Sequence, residues 1–77
     1  MRGLNVKDIR NMSEDQLLDA IEDKREELLN MRFQMASGQL EDTNGIRYAK
    51  RDLARLLTVQ RERELAAVLL AEEEGNA

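Results

Sequence analysis

The stretch Ser37-Gly38-Gln39-Leu40-Glu41-Asp42-Thr43-Asn44-Gly45 decides how this chain folds. It combines two glycines with cap-forming Ser, Asp, Thr and Asn. It is also the only internal break in a sequence that has no proline. On either side the pattern is helical, so the break is a hinge joining two helices. Working back from it, Gly38 can adopt the left-handed conformation that stops a first helix after Ala36 or Ser37. That helix opens on a capping box, in which Ser13 accepts from the backbone N–H of Gln16 while the Gln16 side chain reaches back, with Met12 and Leu17 placed to staple the entry. Glu14 and Asp15 suit the positive end of its dipole. Working forward, Asp42 or Thr43 is the expected N-cap of a second helix running to about Leu70. The expected layout is one domain over residues 1–70, with helix 1 at about 13–37, a loop at 38–42 and helix 2 at about 43–70. A disordered acidic tail, 71–77, follows it.

At ~100° per residue, Leu17, Ile21, Leu28, Met31 and Met35 form a narrow stripe on helix 1, and Ile46, Ala49, Leu53, Leu56 and Leu57 form another on helix 2. Two stripes and one short loop predict an all-α, long antiparallel two-helix hairpin. Its packing is coiled-coil-like, and a short N-terminal segment precedes it. Each buried Leu, Ile or Met contributes roughly 1.5–3 kcal/mol, against ~1–2 kcal/mol per residue of backbone ordering. The isolated hairpin is therefore expected to be marginal, and Lys24, interrupting the first stripe, is expected to weaken it further.

A chain of 77 residues makes one small domain, and a core of this size supplies only about 3–5 kcal/mol net without a staple or a partner. The sequence has no Cys and no His. That excludes disulfides, thiolate or imidazole metal sites, cysteine nucleophiles and the usual neutral-pH general base. Paired-carboxylate catalysis needs a pocket that separates two carboxyl pKa values, and one Phe, one Tyr and no Trp provide little to wall one. No enzyme, cofactor, metal or small-molecule substrate is expected. No run approaches the ~18–20 apolar residues of a membrane span, and the start Met1-Arg2-Gly3-Leu4-Asn5 lacks a signal-peptide apolar region. The expected location is the cytoplasm, away from membranes.

The formal net charge of −4 conceals an uneven distribution. Residues 13–27 hold seven acids against Lys24 and Arg25, a net −5, whereas residues 46–63 hold six bases against Asp52 and Glu62, a net +4. On the helix 2 wheel Arg47, Lys50, Arg51, Arg55 and Arg61 share an arc opposite the apolar stripe, with the small residues Ala54 and Thr58 among them. A charged arc opposite an apolar stripe is also what any solvated helix shows. Here, however, acids are nearly absent from the arc, and four of its five bases are arginines, whose planar forks bind phosphate oxygens bidentately. Nothing resembles a helix-turn-helix, zinc finger or basic zipper, so a nucleic-acid partner would be RNA read by shape and phosphate. Near the hairpin tip, Asn30, Arg32, Gln34, Ser37 and Gln39 add groups suited to 2′-OH and phosphate oxygens.

Helix 1 carries a second apolar strip, Leu18, Leu29 and Phe33, turned away from the seam. Two readings stand. Leu4, Val6 and Ile9 of the N-terminal segment cover it, or it docks another macromolecule. The alternative function, a free protein-interaction hairpin, rests on this strip.

Two runs carry a family resemblance. Glu27-Leu28-Leu29-Asn30-Met31-Arg32-Phe33-Gln34-Met35-Ala36-Ser37-Gly38-Gln39-Leu40 resembles the helix-end and loop stretch of bacterial ribosomal large-subunit protein twenty-nine. Ile46-Arg47-Tyr48-Ala49-Lys50-Arg51-Asp52-Leu53-Ala54-Arg55-Leu56 is similar to that family's signature, and Thr58-Val59 with Arg61-Glu62-Arg63-Glu64 resembles its usual close. The resemblance implies a helical hairpin bound to large-subunit rRNA near the rim of the nascent-peptide exit tunnel. It implies ribosomal protein twenty-three as neighbour and nascent-chain factors such as the signal recognition particle as visitors, with no homo-oligomer. Carried over by position, Arg32, Gln34, Arg47, Lys50, Arg51 and Arg55 are its candidates for rRNA contact. Asp42-Thr43 stands where the family often has Asn then Pro, and residues 65–77 lie beyond the strong likeness.

Overall fold

The computed structural model describes residues 4–39 and 43–75. Three helices follow one another: α1, Val6–Arg10; α2, Glu14–Ala36; and α3, Asn44–Gly75. α2 and α3 form the antiparallel hairpin expected from the two stripes. Leu28 packs with Ile46 and Ala49 beside the loop, and Leu17 and Ile21 pack with Leu56 and Val59 at the open end. The result is a rod with principal extents of 59 × 24 × 17 Å.

The helix ends obey the local chemistry. Ser13 Oγ accepts from the Gln16 N–H at 3.2 Å and Gln16 Oε1 accepts from the Ser13 N–H at 2.9 Å, completing the capping box. At the far end of α2 the Gln39 N–H donates to the Gln34 carbonyl at 2.8 Å and the Gly38 N–H to the Met35 carbonyl at 3.2 Å. Gly38 has φ +78°, so the helix stops in a Schellman motif. α3 begins where the Thr43 carbonyl accepts from the Ile46 N–H at 3.2 Å. Asp42, the other expected cap, lies outside the described residues.

The structure differs from the sequence reading in four places. Residues 6–10 form a helix, capped by the Asn5 side chain, which accepts from the Lys7 N–H at 2.9 Å. Ile9, fully buried, carries that helix into the core beside Leu17, Ile21, Leu56 and Val59, where Leu4 and Val6 also pack. The N-terminal segment therefore closes the open end of the seam and does not cover the Leu18, Leu29 and Phe33 strip, which stays exposed. Met35 is exposed as well: it lies in the last turn of α2, whereas α3 begins at Asn44 and buries no residue before Ile46 among those described. Finally, α3 runs beyond Leu70 to Gly75, since Ala71, Glu72, Glu73 and Glu74 are good helix formers with no breaker among them.

The seam also holds a polar inset. Asp52 occupies a buried position of α3, in step with Ala49, Leu56 and Val59. Its Oδ1 accepts from the Leu4 N–H at 2.8 Å, and its carboxylate lies 3.5 Å from Lys24 Nζ and 3.4 Å from Arg55. Lys24, expected to weaken the stripe, is thus paired across it. It also donates to Glu27 Oε2 at 2.8 Å. That hydrogen bond holds the Lys24 ammonium above the ordinary lysine value of 10.5 despite the opposing effect of burial, and the charges of Glu27 and Asp52 add to it.

Candidate nucleic-acid interface

The seam sets which face of α3 meets water. With Ile46, Ala49, Asp52, Leu56 and Val59 turned inward, the opposite arc presents Arg47, Lys50, Arg51, Ala54, Arg55, Thr58 and Arg61, all exposed. Thr58 returns its hydroxyl proton to the Ala54 carbonyl at 2.7 Å. Both small side chains therefore leave the helix backbone approachable between the cations.

The five bases of this arc are not equivalent. Arg55 is tethered to Asp52 at 3.4 Å and Arg61 to Glu64 at 3.4 Å. Arg47, Lys50 and Arg51 make no ion pair with any carboxylate among the described residues. Three cations on adjacent turns of one rigid helix form a linear positive edge. Such an edge fits the spaced phosphates of a nucleic-acid backbone and reads no base.

The tip residues are exposed but do not form one face. Asn30 and Gln34, four apart, share a side of α2. Arg32 sits on another side and lines a shallow depression with Arg25, Leu28, Leu29 and Leu53. The Ser37 hydroxyl donates to the Gln34 carbonyl at 3.1 Å, as a helix-end contact, and Gln39 follows Gly38 in the turn.

The apolar strip also divides. Leu29 and Phe33, 52% and 65% exposed, are adjacent near the tip. Leu18 lies about 16 Å away along the helix. It borders a groove of about 350 Å³ between the open ends of α2 and α3, with Glu14, Gln60, Arg63 and Ala67.

Three residues with structural roles escaped the sequence reading. Arg63 donates to the Met12 carbonyl at 2.7 Å and the Arg10 carbonyl at 3.4 Å, and Arg10 meets Glu62 at 3.3 Å. Arg63, counted among the bases of the positive half, is thus a clamp on the end of α1. Asp52 and Lys24 lock the middle of the seam. The available signal for two of them was spacing: Lys24 interrupts the apolar stripe of α2, and Asp52 falls in step with the inward Ala49, Leu56 and Val59 of α3.

Residues 7–63 match the family described as Ribosomal L29 protein, which takes in α2, the loop and the whole cationic arc. The chain belongs to the ribosomal L29 protein family. Among its relatives, the large ribosomal subunit protein uL29 of Saccharopolyspora erythraea is 43% identical, covering 97% of this chain and 96% of that protein. That of Geobacillus stearothermophilus is 47% identical over 64 residues, 83% of this chain and 97% of the relative. That of Mycolicibacterium gilvum is 44% identical over 82% of each. An L29 protein is a structural protein and not an enzyme, which agrees with a chain that has neither Cys nor His. Among the described residues no helix is long and apolar enough to cross a membrane.

Proposed function

We propose that this L29 protein is a structural constituent of the large ribosomal subunit, in the cytoplasm, and that it binds large-subunit rRNA through the outer arc of α3. The observation that carries this reading is the row Arg47, Lys50 and Arg51, exposed and without an acidic partner among the described residues, on the face opposite the seam. Arg55 and Arg61 extend the row, each held by one carboxylate. Asn30, Arg32, Gln34, Ser37 and Gln39 supply further contacts where the RNA passes the hairpin tip. The site lies at the rim of the nascent-peptide exit tunnel beside ribosomal protein twenty-three. There the exposed Leu29 and Phe33, with Leu18 farther along α2, face protein: the neighbour, or nascent-chain factors such as the signal recognition particle.

Family membership supports assembly into the ribosome, and the charge geometry supports which face meets RNA. Backbone footprinting of rRNA in large subunits reconstituted with and without the protein tests both. The expected result is a short protected tract that reappears as cleavage when Arg47 and Arg51 are replaced by Ala. Protection that is unchanged by that replacement would place the RNA on another face.

A further inference from the structure

Eighteen residues make about five helical turns, and α3 is long enough for its outer arc to be traced past the cationic row. Leu65, Val68 and Leu69 repeat the wheel positions of Arg47, Lys50 and Arg51, and Glu72 and Glu73 repeat those of Ala54 and Arg55. One face of one helix therefore changes character along its length, from cationic to apolar to anionic. Leu65, Val68 and Leu69 are 47%, 53% and 59% exposed. They cannot be covered by α2, which begins at Glu14 beside the groove that ends near Ala67. Residues 64–75 carry four glutamates and no base. The segment also lies outside the family match, which stops at residue 63.

We propose that this end of α3 seats a cationic, apolar protein segment, one that combines Lys or Arg with Leu, Ile, Val or Phe, in line with the RNA-binding row. Charge selects the occupant. A carboxylate pair at positions 72 and 73 repels phosphate, so the RNA that follows the arginine row cannot continue along the same face, and an anionic lipid surface is disfavoured for the same reason. A second copy aligned antiparallel about Val68 would set Glu72 against Glu64 and Glu74 against Glu62, like charges in register. A basic segment that itself lies on the RNA meets neither obstacle. Its apolar side chains fill the Leu65, Val68 and Leu69 patch, and its cations meet the glutamates, as in helix-in-groove recognition with a charged rim. The alignment with RNA rests on the reading of the arginine row given above, whereas the chemistry of the occupant rests on residues 64–75 alone.

The test is photo-crosslinking in intact large subunits, with a diazirine-bearing residue placed at position 69 in one protein and at position 54 in another. Adducts at position 54 report the RNA reading separately. At position 69 the expected product is a protein peptide, sequenced by mass spectrometry, that contains both basic and apolar residues. Glu72→Lys with Glu73→Lys should lower the yield of that product about fivefold or more and leave the position 54 adduct unchanged. Both substitutions lie beyond the packed core, and the circular dichroism of the free variant, expected to match the parent, checks that the hairpin persists. An adduct to rRNA, an adduct to a second copy, a peptide without basic residues, or no adduct at position 69 would each overturn the proposal.

Discussion

Replacing Asp52 by Ala removes the hub of the seam, and the structure allows its cost to be worked out contact by contact. The Leu4 N–H, 2.8 Å from Oδ1, loses a charged acceptor in a part-buried setting, at about 1.5–3 kcal/mol. The Arg55 contact at 3.4 Å involves a side chain that is 43% exposed, so screening reduces it to about 0–1 kcal/mol. Lys24 is not orphaned, because Glu27 stays 2.8 Å away. The expected destabilisation is about 2–3 kcal/mol, a large share of the ~3–5 kcal/mol available to a core of this size. Thermal unfolding followed at 222 nm should show a Tm lower by about 10–20 °C. Asp52→Asn keeps an acceptor of the same shape for the Leu4 N–H and loses only the charge, so it should fall well short of that drop. An Ala variant within about 0.5 kcal/mol of the parent, or an Asn variant as unstable as Ala, would refute this account of the seam.

Two further outcomes follow from the same geometry. Gly38→Ala should cost about 1 kcal/mol, because the position has φ +78° while an added Cβ meets nothing within 4 Å, and urea unfolding should show it as a shifted midpoint with unchanged slope. Lys24 has a folded-state pKa raised above 10.5. Its contribution is therefore fully present below the unfolded value and is lost as pH rises through the folded one. Stability measured from pH 9.5 to 12 should fall more steeply in the parent than in Lys24→Met, and parallel profiles would contradict the pairing.

Most of the hairpin was legible because its signals are local and redundant. The capping box at Ser13 and Gln16, the stop at Gly38 and the two stripes each specify a helix end or face without reference to the rest of the chain. The outer arc followed at once, since fixing the inward residues fixes what lies opposite. What periodicity cannot weigh is a charge inside a stripe. Lys24 reads as a defect on α2, and Asp52 reads as one more surface acid on α3, until the antiparallel register sets them 3.5 Å apart. The place of α1 was similarly hidden. Five residues carry too little pattern to declare a helix, and the choice between the Leu18 strip and the open seam depends on where Ile9 finds a fully enclosed pocket. Arg63 misled for a related reason: as a base in a basic half it counts toward the ridge, although its donors are taken by the carbonyls of Met12 and Arg10.

The most direct measurement is the salt dependence of binding to a large-subunit rRNA fragment, for the parent and for Arg47→Ala with Arg51→Ala. If these two side chains neutralise phosphates, the log–log slope should become shallower by about 1.4 on single-stranded RNA and by up to about 1.8 on a duplex, with unchanged helix content. Equal slopes and equal affinities for the two proteins would show that the outer arc of α3 is merely solvated.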